Sequence, residues 1–482
     1  MQVSVAGILI GACLLLLSRQ FGAPHLVALV ASLAFGSTAI VTLNALGGST
    51  PLVYTPFAML LALAVALRRD ALHELSRLFA RQRVAWVIVG LTAYAFIGAY
   101  ILPRLFAGQT SAFVPSRALE RVLEVPLAPV SGNISQTGYF ALGAVTFLAL
   151  GICLRGEGAL DAVRRGFLLW ATLHVGMGVL DLAGKMVGMG DVLLPIRSAG
   201  YAFMTDRAAE GFWRIVGGYS EASAFAAASL ACLAFVFTYW RATGSRIALF
   251  LTLATLTLLI LSTSSTAYVG GAAVAVPVVA SIVRSALVGR LSHRDLQVIG
   301  VLTLAIAGIL AVYLYNERLF EPFLRLLETM VVDKAASGSG RERIYWNQRS
   351  IQSFLDTGGL GIGFGSSRAS SWPVAVLSQL GFIGSLMVVT LLAVLCRRIQ
   401  RPVAASVDPA VVALHDSVRA CALVTLLAAT ISGGSADPGL LFFIALAVVL
   451  ACREKVRREG IARRDLARLD RARSDLTGLS RA

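Results

Sequence analysis

The chain is divided into apolar stretches of membrane-spanning length, and this division limits the possible folds more than any other feature. Of its 482 residues 57% are hydrophobic and only 14% are charged, and its mean hydropathy is +0.78. A soluble domain carries about 25% charged residues. A β-barrel would show alternating segments of about ten residues, and the sequence lacks them. The sequence therefore predicts an all-α, polytopic transmembrane helical bundle.

The predicted spans number about 12 to 13. They are 3–20, 24–45, 51–67, 84–103, 137–154, 166–183, 221–240, 247–262, 264–283, 298–315, 374–396, 411–432 and 436–452. The first three are the least regular, because another assignment near Gly47–Pro51 changes the side on which the chain begins. With thirteen spans, the N-terminus is expected outside.

Arginines in the short links between spans set the expected orientation. Those links carry Arg68, Arg69, Arg77, Arg81, Arg83, Arg155, Arg164, Arg165, Arg241, Arg246, Arg284, Arg290, Arg294, Arg397, Arg398 and Arg401. Short basic links are typical of the cytoplasmic side of a membrane. The segments 104–136, 183–220 and 316–373 are then external, and the last is predicted to be a long periplasmic loop containing short helices.

This topology divides the chain into four parts. They are the N-terminal transmembrane helices 1–182, a core 183–396 with two periplasmic arginine loops (183–220 and 316–373), the C-terminal transmembrane helices 397–452 and a basic cytoplasmic tail 453–482. The tail is interpreted either as a helix on the membrane surface or as a disordered segment. The whole chain is expected to be a multi-pass protein of the bacterial inner membrane, with its active site on the periplasmic face.

The basic residues and the cysteines restrict the partners. The net charge of +16 is dispersed among apolar spans, so orientation and contact with anionic membrane lipids explain it better than nucleic acid does. The six cysteines occur singly and form no CxxC motif, which indicates neither a disulfide framework nor a zinc site. No cluster with metal-ligand spacing lies on the external loops, and no metal or cofactor is predicted.

The first arginine loop ends in a candidate site. Arg214 precedes a Gly-Gly pair, and Glu221 follows Ser220 in the first turn of a span. A carboxylate at that depth is unfavourable unless it is paired, so Glu221 is either a partner that orients an arginine or a catalytic base. His174 and Asp181 lie seven residues apart on one helix face, as a polar packing pair or a proton relay.

The second arginine loop contains two predicted helices. Residues 316–334 have the amphipathic pattern of a helix on the outer membrane surface. A second helix begins after Gly340 and places Arg341, Tyr345 and Gln348 on one face, with Arg349 at its edge.

Two arginines of this second helix point in nearly opposite directions. Arg341 is predicted to join the site, unless it forms a salt bridge with Asp333 or Glu342. Arg343 is expected to meet lipid headgroups or a surface carboxylate. The run Gly358–Gly365 follows, and its alternating glycines favour either a phosphate-binding backbone or a plain flexible turn.

The order of these motifs resembles the O-antigen ligase and polymerase superfamily. The resemblance covers about residues 205–390. It rests on Arg214…Gly218-Tyr-Ser-Glu221, Leu261-Ser-Thr-Ser-Ser265, Ser339-Gly-Arg341…Trp346, the following Gly-x-Gly-x-Gly and Leu380-Gly381-Phe-Ile-Gly384.

The resemblance implies a glycosyltransferase that acts on undecaprenyl-pyrophosphate-linked glycan. Arg214 and Arg341 would bind the pyrophosphate, and Glu221 would orient an arginine or act as base. The enzyme would be inverting and metal-independent. Lining of the substrate path would involve Tyr345, Gln348, Arg349, Ser370 and Trp372. A flippase and a chain-length regulator are candidate partners.

The chain departs from the ligases of this family at one place. Where they carry a His-Asn pair, this sequence has Ser370 and Ser371. This difference favours a polymerase of O-antigen or exopolysaccharide, which joins lipid-linked repeat units. The alternatives are a ligase-like transferase with another acceptor, and a non-enzymatic flippase or transporter of an anionic lipid-linked substrate.

Overall fold

A computed structural model describes residues 2–44, 48–116, 121–200, 208–209, 212–316, 321, 328, 337–399 and 408–479, without the side chains of 208, 209, 212 and 462–479. Its helices are α1 Val5–Ser18, α2 Pro24–Ala31, α3 Tyr54–Ala66, α4 Ala71–Arg81, α5 Arg83–Leu105, α6 Ser131–Cys153, α7 Ala159–Met186, α8 Ala222–Thr243, α9 Arg246–Leu261, α10 Ser265–Leu287, α11 His293–Tyr315, α12 Gly338–Asp356, α13 Trp372–Cys396, α14 Pro409–Ser432 and α15 Leu440–Leu479. Three antiparallel pairs join β1 Gln2–Val3 to β2 Val41–Thr42, β3 Ser111–Ser116 to β4 Arg121–Pro126, and β5 Ala208–Ala209 to β6 Phe212–Trp213.

The prediction of an all-α membrane protein is confirmed. Eight of the described helices are long and apolar enough to cross a membrane, namely α5, α6, α7, α8, α10, α11, α13 and α14. Shorter apolar helices occupy the positions of the first three predicted spans and of α9. The last predicted span coincides with the first part of α15, so each of the thirteen predicted spans corresponds to a helix.

Three details differ from the predictions or lie outside the described residues. The second span is short, since helical structure ends at Ala34 instead of residue 45. The tail is not disordered, because α15 continues unbroken to Leu479. The surface helix predicted over 316–334 lies almost wholly outside the described residues.

Consecutive helices alternate between two ends of the bundle. One end, here called the loop end, is formed by residues 106–116, 121–130, 187–200, 212–221, 262–264, 357–371 and 433–439. The N-terminus also lies there, because the Ser4 backbone N–H donates to Ile40 O and the Ser4 hydroxyl to Ser198 Oγ. The opposite end holds ion pairs between basic links, such as Arg155–Glu74 and Arg241–Asp295.

The buried core lies among α2, α6, α7, α8, α14 and α15. Its largest buried side chains include Phe147, Phe167, Trp170, Phe235 and Phe443. Rings of Phe167 and Phe235 stack with centroids 4.8 Å apart. These contacts supply a rigid body on which the loop end is built.

Helix α11 stands apart from this core. From Leu296 through Tyr315 every residue is exposed except Val298, which is half-buried, and no residue in the most apolar part of the helix is buried. Its base is held by Arg241, whose guanidinium donates to Asp295 Oδ1 at 2.9 and 2.5 Å. Such an apolar surface is stable only in contact with lipid or another apolar partner.

Asp181 is the buried carboxylate that fixes the first arginine loop. Its Oδ2 accepts hydrogen bonds from the backbone N–H groups of Val216 (2.7 Å) and Gly217 (3.1 Å). Lys185 Nζ lies 3.1 Å from Oδ2, and Arg197 Nη2 lies 3.4 Å from Oδ1. Arg197 also donates to Gly217 O at 2.6 Å, and Lys185 Nζ donates to Arg214 O at 2.7 Å. A buried charge is tolerated when it is paired and hydrogen-bonded in this way.

His174 has a separate environment on the same helix. Its Nε2 lies 2.8 Å from Ser229 Oγ, and its ring stacks on Phe225 with centroids 4.8 Å apart. Within the described residues it shares no hydrogen bond with Asp181. These contacts favour the interpretation of two packed polar groups over a proton relay.

We predict that Asp181→Asn lowers the free energy of unfolding by about 3–5 kcal/mol, because it leaves the buried Lys185 without its counter-charge and Arg197 with Asp191 alone. The measurement is the temperature at which detergent-solubilised protein loses its monodisperse chromatographic peak. Asp161→Asn is the matched control, since its side chain is 41% exposed and pairs with Arg164 and Arg165 at the other end of α7. That change should lower stability by less than about 1 kcal/mol. Equal loss of stability in both variants would contradict the structural role of Asp181.

Candidate functional site

Helix α12 is docked at the loop end through the β3–β4 hairpin. Glu124 of β4 accepts hydrogen bonds from Tyr345 Oη (2.7 Å), Arg349 Nε (3.0 Å) and Ser111 Oγ (2.6 Å). The hydrogen bonds from Ser111 and Tyr345, together with Arg349, hold the pKa of Glu124 below its usual value. Phe113 contacts the ring of Tyr345 edge-on, with centroids 5.9 Å apart. These contacts give Tyr345 and Arg349, two predicted substrate-binding residues, a role in placing α12.

The other face of α12 turns toward the bundle. Asn347 Oδ1 accepts the backbone N–H of Ser370 at 2.9 Å. Arg343 is partly buried, whereas Arg341 is exposed. The structure thus places Arg343 on the inner side of α12, contrary to the expectation that it meets headgroups or a surface carboxylate.

Arg368 is the arginine that this arrangement brings to the centre of the loop end. Its backbone N–H donates to Phe113 O at 2.9 Å, so β3 fixes its position. Its side chain lies against Gly434, where an added Cβ would be 2.7 Å from Arg368 Nε. Gly434 O accepts the N–H of Ala369 at 3.1 Å. The guanidinium therefore lies between the segment before α13 and the segment after α14.

One carboxylate and one further arginine act electrostatically on Arg368. Although Arg368 is exposed to solvent, the surrounding protein desolvates it and lowers its pKa. The nearby carboxylate of Glu221 opposes that change, and the charge of Arg343 adds to it. These three charged groups, Arg343, Arg368 and Glu221, are here called the arginine cluster, and their net charge is positive.

Glu221 stands at the start of α8. Its backbone is extended (φ −157°, ψ 162°), and its carbonyl accepts the first helical hydrogen bond from Phe225 N at 3.0 Å. The carboxylate accepts the Ser223 hydroxyl at 2.5 Å. Within the described residues it forms no ion pair shorter than 4.0 Å, so Glu221 acts on Arg368 through space. This placement fits both of its predicted roles.

Arg214 belongs to the same end but faces a different helix. Its charge acts on the Tyr268 phenol in the first turns of α10. Its own carbonyl accepts Lys185 Nζ, so the Asp181 network sets its position. Among the described residues the exposed Arg341 forms no ion pair with Glu221, and the shared site of Arg214 and Arg341 stays a prediction.

The remaining predicted substrate-binding residues have mixed surroundings. Gln348 is exposed on α12. Ser370 is buried beside Asn347, and Trp372 is buried with its indole N–H donating to Ala436 O at 3.1 Å. Trp372 thereby joins the start of α13 to the segment 433–439, which carries Gly434 against Arg368.

The glycine run 358–365 is a packed structural loop. Its N–H groups donate to protein acceptors, including Gly363 to Gln379 O at 3.1 Å and Gly365 to Gln379 Oε1 at 2.8 Å. All five of its glycines have positive φ. A Cβ at Gly361 would lie 2.7 Å from Gly381 N, at the kink of α13. These amides are occupied, so neither a phosphate cradle nor a flexible turn describes the run.

Polar side chains from α6 and α13 complete the support of this loop. Asn133 Nδ2 donates to Phe364 O and Ser366 Oγ, both at 2.8 Å. Gln379 Nε2 donates to Ser367 O at 2.8 Å. Arg368 follows directly, so its backbone is held on both sides.

The described residues contain no group of three or more His, Cys, Asp or Glu side chains able to hold a metal ion. Comparison of the sequence with family models and with curated proteins gives no match.

Sequence reasoning missed Arg368, Asn347 and Gly434. One signal was available for Arg368, because it is the only charged residue between Asp356 and Arg397. An arginine isolated in an uncharged segment just before a span must be placed at the membrane surface. Asn347 and Gly434 gave no comparable signal, since their roles depend on contacts across 23 and 66 residues of sequence.

We predict that Gly363→Ala lowers the free energy of unfolding by roughly 2–5 kcal/mol, because an unfavourable φ and overpacking act together. The residue has φ +91°, and its Cβ would lie 2.7 Å from Gly98 O and 2.8 Å from Pro103 Cδ. Gly358→Ala is the control, since it has φ +60° with open space around it and should lose only about 1–2 kcal/mol. Thermal unfolding of the two purified variants provides the comparison. A Gly363 variant as stable as the Gly358 variant would contradict the packed loop.

We predict a pH-dependent contribution from Asp437. Burial raises its pKa to about 6, from a usual 3.8, although Gly439 N–H donates to it. The folded state therefore favours the protonated acid. That contribution is complete below pH 3.8 and is lost as the pH rises through about 6. Asp437→Asn should be more stable than wild type by roughly 1–3 kcal/mol at pH 7.5 and no more stable at pH 4. Unfolding midpoints at the two pH values test this, and an equal difference at both would refute it.

Proposed function

We propose that this chain is an inner-membrane polysaccharide polymerase that transfers an undecaprenyl-pyrophosphate-linked glycan onto another lipid-linked repeat unit. The observation that carries the proposal is the arginine cluster of Arg343, Arg368 and Glu221 at the loop end. It supplies two guanidinium groups where the spans end, which is the depth of a lipid phosphate in a bilayer.

The chemistry of the ligand follows from the charges. Guanidinium groups bind phosphate oxygens in pairs and are weakly hydrated, so they suit an anion at a site where the surrounding protein displaces water. Arg368 is already desolvated by the surrounding protein, and the charge of Arg343 disfavours its cationic form further. An anionic ligand between them would relieve both effects.

The reaction uses the same charges. A hydroxyl oxygen of the acceptor sugar attacks the anomeric carbon of the donor, and the bond from that carbon to the pyrophosphate oxygen breaks with inversion. The leaving pyrophosphate takes the bonding electron pair, and the arginines stabilise its developing charge. Among the described residues, Glu221 is the carboxylate that acts on Arg368. It accepts the hydroxyl proton or orients Arg368.

Two features favour this enzyme over the alternatives. A transporter requires charged groups near the middle of the membrane, whereas the arginine cluster lies at the helix ends. The ligase alternative depends on a histidine where this chain has Ser370 and Ser371, and Ser370 is buried with its N–H on Asn347. The proposal places the cluster on the periplasmic face of a bacterial inner membrane.

We predict that Arg368→Ala and Arg343→Ala each lower the rate of polymer elongation about 100-fold, since one oxyanion donor contributes on that order. Arg368→Lys should be nearly as inactive, because lysine lacks the planar fork. The assay follows lipid-linked repeat units, isolated from a polymerase-deficient strain, as purified protein in membranes elongates them.

Two further variants sharpen this experiment. Arg104→Ala is the control, since that arginine is exposed at the end of α5 and stacks on Tyr100, 4.1 Å from its ring. Its rate should equal that of wild type. Arg341→Ala decides between the two arginine assignments. If Arg341→Ala loses elongation while the Arg343 and Arg368 variants keep normal rates, the phosphate-binding arginines are Arg214 and Arg341 and not the arginine cluster. Absence of elongation by wild type would reject the polymerase.

A further inference from the structure

The turn between α9 and α10 contains two buried hydroxyl groups with no hydrogen-bond partner among the described residues. Ser262, Thr263 and Ser264 are 0%, 4% and 1% exposed. The Ser262 hydroxyl donates to Leu259 O at 2.7 Å. Thr263 Oγ1 and Ser264 Oγ lack any such partner. Since buried hydroxyls are almost always hydrogen-bonded, these two hydroxyls are candidates for hydrogen bonds to a ligand.

The backbone of this turn is strained as well. Thr263 has φ +47°, in the left-handed region that a β-branched residue rarely adopts. Among the described residues only Ala23 shares a positive φ without being glycine. Strain of this kind persists only where the surrounding structure enforces it.

The same turn forms the N-terminus of a long helix. Ser264 is the N-cap residue of the 23-residue α10, but its hydroxyl does not make the usual capping bond. Ser264 thus stands at the N-terminal end of α10, where the helix carries a partial positive charge. Arg214 adds a full positive charge nearby, since it acts on Tyr268 one turn into α10. The N-terminus of α10, the two unpartnered hydroxyls and Arg214 together favour the binding of an anion.

The turn is near the arginine cluster. Gly270 of α10 packs on Leu230 of α8 so closely that an added Cβ would collide with it. Ser264 lies six residues above that contact and Glu221 nine residues above it, or roughly 9 and 14 Å along the two helices. Because packed helices lie about 8–10 Å apart, Ser264 and Glu221 are neighbours at the loop end of this helix pair. Extended side chains of arginine bridge such a gap.

We propose that this turn binds one phosphate of the donor pyrophosphate, with the hydroxyls of Thr263 and Ser264 donating to its oxygens and Arg214 beside it. The arginine cluster then holds the other phosphate. This assignment rests on the proposed function. It gives Arg214 a ligand without requiring contact between Arg214 and Arg341.

The test measures binding of undecaprenyl pyrophosphate to purified full-length protein by native mass spectrometry. Thr263→Val and Ser264→Ala should each bind about tenfold more weakly than wild type, the size expected for a hydrogen bond to a charged group. Ser262→Ala is the matched control from the same turn. Its hydroxyl is already bonded to Leu259 O, so its affinity should equal that of wild type.

Thermal stability separates this role from a structural one. Thr263→Val and Ser264→Ala remove hydroxyls that have no partner, so their unfolding midpoints should equal or exceed that of wild type. Undecaprenyl monophosphate serves as a second probe, and its binding should change less because one phosphate can remain at the arginine cluster.

The outcomes distinguish the two proposals. If Arg368→Ala loses the pyrophosphate lipid while Ser264→Ala and Thr263→Val keep full affinity, the turn is not a phosphate site and the proposed function stands. If wild type does not bind the pyrophosphate lipid, both proposals fail. Weaker binding together with a lowered unfolding midpoint in both turn variants would also overturn the assignment, because the hydroxyls would then be structural.

Discussion

The buried charge of Asp181 is the interaction on which the loop end depends. One carboxylate receives two backbone N–H groups and two cations, all within the protein interior. Burying a charge without partners is strongly unfavourable, so the Asp181 carboxylate is stable in the interior only with these hydrogen-bond donors and cations around it. The segment Val216–Gly217 is thereby fixed against α7, and with it Arg214 on one side and Glu221 on the other. The segment 212–221, which the sequence predicts only as a loop, is therefore held in one position before the start of α8.

A second constraint is the close packing of glycines around Arg368. Gly361, Gly363 and Gly365 lie against the kink of α13, against α5 and against α6, respectively, at distances that leave no room for a side chain. Asn133 and Gln379 then occupy its amide and carbonyl groups. Because these contacts come from helices distant in sequence, the orientation of Arg368 toward Glu221 is a property of the whole bundle.

Much of the fold was predictable, because the membrane leaves few choices. Every backbone group in a bilayer must be bonded internally, so a long apolar stretch such as Trp372–Cys396 becomes a helix. The candidate site was less predictable. The faces of α12 follow from its helical period, but nothing in the period states which face meets the bundle. Glu124 decides that, through hydrogen bonds to Tyr345 and Arg349 across more than 200 residues.

The sequence by itself determined a polytopic helical membrane protein, the position of its spans, and two loops in which arginine approaches the start of a helix. Composition and local periodicity carry that information, since each span satisfies its own backbone. Only the tertiary structure decided that Glu221 and Arg343 act on Arg368, that the glycine run is a packing element, and that Thr263 and Ser264 are buried without partners among the described residues. Those facts depend on long-range packing, in which a side chain's surroundings come from segments far away in the chain.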